Sequence, residues 1–218
     1  MTVTGYRDGF KVLSIGMLLL TIAAAPSFAA EWKAEDGGID AGKVVLGMRA
    51  GFAPVTQQVS GSAFGGTSTD VGSLVNFLGM YSLNRWLLVG MMLEWERHAM
   101  SVERTGTDLG HQDTVSVLPT IEIRPVRLGP IIPYVNMSMG VNVNSFGEER
   151  NVGKISPSNT FAWRLGWGAD WMLTQQFALN TEMAYKRNDG HVTFANGAQN
   201  NDWNASSFGF LFGAKLFF

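Results

Sequence analysis

Between residues 115 and 125 apolar and polar side chains alternate: Val115, Val117, Pro119, Ile121, Ile123 and Pro125 share one side, with Ser116, Thr120, Glu122 and Arg124 on the other. A period of two predicts a β-strand with two unlike faces. The split recurs over 131–143, where Val135, Met137, Met139, Val141 and Val143 oppose Asn136, Ser138, Gly140 and Asn142. It recurs over 161–171, where Phe161, Trp163, Leu165, Trp167, Ala169 and Trp171 oppose Arg164, Gly166, Gly168 and Asp170. Over 86–98, Leu87, Val89, Met91, Leu93 and Trp95 oppose Glu94, Glu96 and His98. Noisier versions run through 43–52, 71–81, 177–186 and 204–218, which makes eight predicted strands.

The connections alternate in length. Short links at 82–85, 127–130 and 172–175 begin 45 residues apart, and long polar segments at 53–70, 99–113, 145–159 and 187–203 separate them. Short turns at one end and long loops at the other are the pattern of a transmembrane barrel, with the short turns periplasmic. The spacing reflects repeated hairpins; a solenoid would need more, nearly identical units.

The N-terminus changes the compartment. Arg7 and Lys11 precede an apolar run over 12–25 that breaks at Pro26, and Ser27-Phe28-Ala29 supplies the small residues of a cleavage site. Residues 1–29 therefore read as a secretory signal peptide cut before Ala30, because the apolar run is shorter than the roughly 20 residues of a spanning helix. Residues 30–41 read as a periplasmic lead and 42–218 as the barrel. Beyond the leader the longest apolar run is 86–93, too short to span as a helix. A secreted chain with 26 glycines and no cysteine fits a closed barrel, which satisfies every backbone group internally. A net charge of -2 gives no reason to expect a nucleic-acid partner.

The last strand is the most specific segment. In Phe208-Gly-Phe-Leu-Phe-Gly-Ala-Lys-Leu-Phe-Phe218 the residues Phe208, Phe210, Phe212, Ala214, Leu216 and Phe218 lie on one face, ending on an aromatic. The chain here resembles the small outer-membrane β-barrels of the OmpA and OmpX type. That resemblance implies an all-β fold, an eight-stranded antiparallel transmembrane β-barrel in the bacterial outer membrane, surrounded by lipid and lipopolysaccharide. It also implies delivery by the barrel assembly machinery, which reads a terminal strand like the one ending at Phe218. The family shares an architecture, not one activity. The chain stops after this strand, so the C-terminal peptidoglycan-binding domain of full-length OmpA is not expected.

In such a barrel an outward charge would cost about 2–4 kcal/mol at the bilayer midplane, so the charges should face the lumen. The register sends Arg49, Arg124, Arg164, Lys186 and Lys215 inward with Glu94, Glu96, Glu122, Asp170 and Glu182. Five cations against five anions predict an internal ion-pair network that plugs the barrel, with Gly47, Gly51, Gly72, Gly90, Gly140, Gly166 and Gly168 making room. A lipocalin-like barrel would instead turn Trp163, Trp167 and Trp171 inward and leave a shell of glycines outside.

Candidate chemistry is sparse. Glu96 and His98 share a strand face, with His111 and Asp113 across the same loop, but the spacing is not that of a metal site. His191-Val-Thr193 resembles only loosely the His-x-Ser element of lipid A-modifying barrels, and no acid partner stands beside it. No catalytic, cofactor-binding or metal residue is assigned. Tyr81, Trp171, Phe177 and Phe218 read as interfacial girdle residues, and Trp203, in a long loop, as the better candidate for ligand stacking. The expected function is a structural or surface-interaction protein with the barrel as anchor and four long loops as the external binding surface. Its external ligand is unspecified. A narrow solute channel, or a lipid A-modifying enzyme, is the alternative.

Overall fold

The computed structural model describes residues 39–55, 67–102, 106, 108–147, 155–194, 197 and 199–218. The predicted signal peptide and most of the 30–41 lead lie outside them. Among the described residues the strands are β1 (Val44–Ala53), β2 (Thr67–Thr69), β3 (Gly72–Asn84), β4 (Leu87–Val102), β5 (Asp108–Ile123), β6 (Ile131–Gly147), β7 (Ile155–Pro157), β8 (Thr160–Met172), β9 (Phe177–Arg187), β10 (Asp189–Phe194), β11 (Gln199–Asn204) and β12 (Ser207–Phe217).

Eight of these form a closed antiparallel barrel in the order β1-β3-β4-β5-β6-β8-β9-β12. It closes where β12 pairs with β1, Met48 opposite Ala214. At the short-turn end Phe218 and Val44 exchange backbone hydrogen bonds of 2.9 and 3.2 Å, so the last residue seals the seam.

The alternation read from the sequence holds strand by strand. Val115, Val117, Ile121 and Ile123 are exposed along β5, while Ser116, Leu118, Thr120 and Glu122 are buried between them. The strands are pleated ribbons with apolar groups out and polar groups in, the inverse of a soluble barrel.

Three local chemistries build the short turns. Gly129, at φ 63, lets Leu128 and Ile131 exchange backbone bonds around a two-residue loop. Thr174 Oγ1 accepts from the amides of Gln176 (3.1 Å) and Phe177 (3.0 Å). Asn84 Oδ1 accepts from the Trp86 amide at 3.0 Å. Small hydroxyl and amide side chains that bond nearby backbone favour such turns over continued strand.

The opposite end departs from the sequence reading. Residues 99–102 and 108–113, expected as loop, continue β4 and β5, paired from Ala99–His111 to Ser101–Asp108. Residues 145–147 likewise extend β6. Within 187–203, β10 and β11 pair as a hairpin and join β7 in a separate three-stranded sheet. Polar composition suggested loop because outside the bilayer a strand needs no lipid-facing apolar side, so the alternation that marked the barrel strands fades while the backbone ladder continues.

Inward glycines sit opposite large inward side chains. Gly213 pairs with Arg49, and a Cβ there would lie 2.0 Å from the Met48 carbonyl oxygen. Gly168 pairs with Glu182, and a Cβ there would meet the Thr181 carbonyl at 2.2 Å and the Tyr134 hydroxyl at 2.6 Å. Close backbone approach and lumen volume both exclude a side chain at these points.

Candidate functional site

The lumen is filled in tiers. An apolar cluster that includes Ile39, Val45, Met80, Leu88, Leu118, Ile132, Met172 and Phe217 occupies its short-turn half. These positions lie on the inward faces, and reading those faces only for charge and glycine missed them.

Above part of this cluster a four-membered ring of charges closes. Arg124 reaches Glu122 Oε1 (2.5 Å) and Asp170 Oδ2 (2.6 Å), and Lys215 Nζ lies 3.2 Å from Glu122 Oε2 and 3.2 Å from Asp170 Oδ1. Lys215 Nζ also stands 4.0 Å from the Tyr134 ring centroid, so its third side is covered by an aromatic face.

Glu182 is the hub of the middle tier. It accepts from Arg49, from Arg164 Nη2 (2.5 Å), from Asn136 Nδ2 (2.6 Å) and from the Tyr134 hydroxyl (2.9 Å). Asn180 joins the tiers, its amide donating to Asp170 Oδ1 (2.5 Å) and to the Tyr134 hydroxyl (2.9 Å). Arg164 Nε continues upward to Glu94 Oε2 (3.1 Å). Lys186 bridges Glu94 (3.0 Å) to Glu96 (2.5 Å), and His98 Nε2 lies 2.5 Å from Glu96 Oε1. Gly72 makes this last contact possible, since a Cβ there would lie 2.4 Å from the His98 ring.

A neutral tier lies at the outer end. Thr114, Asn144, Asn188 and Thr160 hydrogen-bond one another over 2.6–3.3 Å, and Ser116 donates to Asn142 at 2.7 Å. All ten charges predicted for the lumen thus meet in one ladder, and each is at most 3 % exposed. Sequence reading missed the connectors Tyr134, Asn76, Asn136 and Asn180. Their inward parity was readable, but which of them touch depends on the barrel's stagger.

Other candidates are not brought together. Glu96 and His98 point into the lumen, whereas the strand pairs Arg97–Asp113 and Ala99–His111 put Asp113 and His111 on the outer face. The four residues therefore share no site. Among the described residues no group of three or more His, Asp or Glu could hold a metal ion. On β10, the His191 amide donates to Ser158 Oγ (3.1 Å), and Asp189, two residues before it, is held by Arg187 at 2.5 and 2.7 Å. That pairing lowers the Asp189 carboxyl below its usual range. Trp203, the place where the alternative of a ligand-stacking platform was most plausible, is only 4 % exposed and packs with Val192 and Ala205 in the β10–β11 hairpin.

The outer wall is banded. Tyr81, Trp86 and Phe218 are exposed at the short-turn end, with Trp171 and Phe177 half-buried beside them. Toward the other end Phe52 stacks on Phe210 (5.2 Å), Phe210 meets Phe208 (5.2 Å), Phe208 meets Trp167 (5.6 Å) and Trp163 meets Tyr185 (5.3 Å). Two aromatic bands flanking an apolar belt mark the two interfaces of a bilayer.

A closed antiparallel barrel with a polar, filled lumen and a banded apolar wall is a transmembrane β-barrel of the outer membrane. The outer membrane protein beta-barrel domain family matches residues 15–215, and the chain belongs to that family. Solved structures agree on the fold. The outer membrane protein OprG from Pseudomonas aeruginosa matches with a TM-score of 0.65 at 11 % identity, over 84 % of this chain and 99 % of that one. The outer membrane protein AlkL in lipid bilayers gives 0.55 at 13 %, over 86 % and 95 %. Neisserial surface protein A gives 0.53 at 15 %, over 84 % and 98 %. Among curated proteins no sequence match was found.

Proposed function

We propose that this protein is a plugged membrane anchor that presents its extracellular strands and loops as an interaction surface. The observation that carries this reading is the ladder from Arg124 to His98: charged side chains packed against one another across the whole bore, with an apolar cluster beneath. An eight-stranded barrel is just wide enough for side chains to fill, so a path for solutes would require this network to come apart. Breaking one buried pair by removing a partner costs about 3–5 kcal/mol, which disfavours spontaneous opening.

The role is not enzymatic on this reading, because the lumen's acids are saturated by cations and Asp189, the described acid two residues before His191, is held by Arg187. Residues 1–29 serve as a cleaved signal, and the strand ending at Phe218 as the assembly signal. Lipopolysaccharide surrounds the outer half of the wall. Single-channel recording of the purified barrel in planar bilayers tests the proposal. The expected trace is a closed baseline with brief, rare events; a large steady conductance would return the narrow-channel alternative to first place.

A further inference from the structure

The lumen ladder ends outward on an imidazole. His98 is buried and stands between two acceptors. Its Nε2 lies 2.5 Å from Glu96 Oε1, and its Nδ1 lies 3.4 Å from the backbone carbonyl oxygen of Asp70. The ring is confined to this position. A Cβ on Gly72 would lie 2.4 Å from both Nδ1 and Cε1, so only a glycine at the start of β3 lets the backbone close on the imidazole.

Two acceptors require two donors. A neutral imidazole carries one N–H, and only the imidazolium donates from both nitrogens. With its proton on Nδ1 alone, the ring would turn a bare Nε2 toward the Glu96 carboxylate at 2.5 Å, so the neutral ring keeps its proton on Nε2. Nδ1 then has nothing to donate, and its contact with Asp70 becomes one between two acceptors. Protonation therefore makes or removes one bond, the one to Asp70.

The charges around the ring accommodate both states. Glu96 and Glu94 share its inward face of β4, Lys186 reaches them from β9 at 2.5 and 3.0 Å, and Arg164 of β8 lies 3.1 Å from Glu94. The neighbouring inward residues are uncharged: Gln112 and Thr114 on β5, Gly72 and Leu74 on β3. Arg97, His111 and Asp113 lie on the outer face. Glu96 thus keeps Lys186 as its counter-charge when the imidazole is neutral.

The bond to Asp70 holds a corner at the long-loop end of the barrel. Asp70 lies between β2 and β3, and its amide donates to the Ala99 carbonyl at 3.0 Å. The three residues of β2 pair with β4 from Thr69–Met100 to Thr67–Val102. These are backbone bonds of a short strand, and the imidazole adds a side-chain tie from the lumen to the same corner.

We propose that His98 is a proton-operated latch. Protonated, it fastens the Asp70 corner and β2 to the outer end of the lumen ladder; neutral, it releases them. The extracellular rim at β2 therefore stiffens on acidification and loosens in alkaline solution. Histidine suits the task because it is the side chain whose charge ordinarily changes between about pH 5 and 8.

The chain has no cysteine, so a nitroxide attached through Thr69→Cys reports on this corner alone. Electron paramagnetic resonance of the folded barrel in lipid vesicles, recorded at about pH 5 and about pH 8.5, should show label motion at least about twofold faster at the higher pH. Nitrogen-15 spectra of the imidazole, assigned by the signal lost in His98→Gln, should show protons on both ring nitrogens at the lower pH and on Nε2 alone at the higher. In the labelled protein His98→Gln should abolish the pH response, and so should Gly72→Ala, which retains every titrating group but displaces the ring. His111→Gln, on the outer face, should leave it intact. Heat-dependent gel migration shows that each variant is folded. Equal label motion at the two pH values, a response that survives His98→Gln, or a singly protonated His98 ring at the lower pH would overturn the latch; the two parent spectra decide it even where a variant fails to fold.

Discussion

Replacing Glu182 by Gln removes one negative charge and leaves the rest of the lumen in place. Glu182 is buried and accepts four hydrogen bonds, two of them from the buried guanidinium groups of Arg49 and Arg164. Arg164 keeps Glu94 at 3.1 Å after the change, whereas Arg49 keeps only neutral partners, Asn76 at 2.8 Å, Tyr134 at 3.2 Å and Met92 at 3.7 Å. One guanidinium is thus left without a counter-charge in a closed bore, and Glu182→Gln should cost about 3–5 kcal/mol. Adding Arg49→Met restores four cations against four anions. The double variant should therefore be more stable than Glu182→Gln alone, with a coupling energy of about 1–3 kcal/mol. Urea unfolding of the mature barrel from lipid vesicles, followed by tryptophan fluorescence, measures all three variants and the parent. Additive effects within about 0.5 kcal/mol would mean that each charge is separately solvated, and the ladder would not be a plug.

Further outcomes follow from individual positions. Gly168→Ala places a methyl group against the Thr181 carbonyl and the Tyr134 hydroxyl, and should cost about 1–3 kcal/mol of unfolding free energy through overpacking. Asp189→Asn removes an exposed pair and should cost under about 1 kcal/mol at neutral pH. Because the Asp189 carboxyl is lowered by Arg187, that contribution is complete above the ordinary carboxylate range and disappears as pH falls through the lowered value; a pH titration of the difference between the two proteins reads it. Phe218→Ala leaves the backbone bonds to Val44 intact, so unfolding free energy should change little while insertion by reconstituted assembly machinery slows several-fold. Equal insertion rates would remove Phe218 from the assembly signal.

Much of the barrel was legible because lipid imposes a rule on single residues. Every second position facing hydrocarbon must be apolar, so Val115 to Ile123 and Trp163 to Trp171 declared their faces without knowledge of their neighbours, and the ten lumenal charges followed by parity. The contents of the lumen were less readable. Leu88, Leu118, Ile132 and Phe217 are apolar on the inward side, where hydrophobicity does not distinguish a plug from noise. Tyr134 and Asn180 acquire their roles only through the stagger that lifts one strand against the next. Outside the bilayer the rule lapses, and β10, β11 and the extensions of β4 and β5 read as loop although their backbones pair, with a register shift in each ladder. Trp203 looked available for the same reason; its burial comes from a hairpin that no alternation announced.

The chain contains no cysteine, so a single introduced thiol reports on one place in the wall. Ser138 faces the lumen at 1 % exposure and shares a 2.8 Å hydrogen bond with Thr120, while Ser145 faces outward beyond the apolar belt. The rate at which a small charged thiol reagent modifies Ser138→Cys in intact bilayers, relative to Ser145→Cys, tests directly whether the bore is closed. A plugged barrel predicts rapid labelling at 145 and none at 138 until the protein is unfolded; comparable rates at the two positions would show an aqueous path through the lumen and contradict the account.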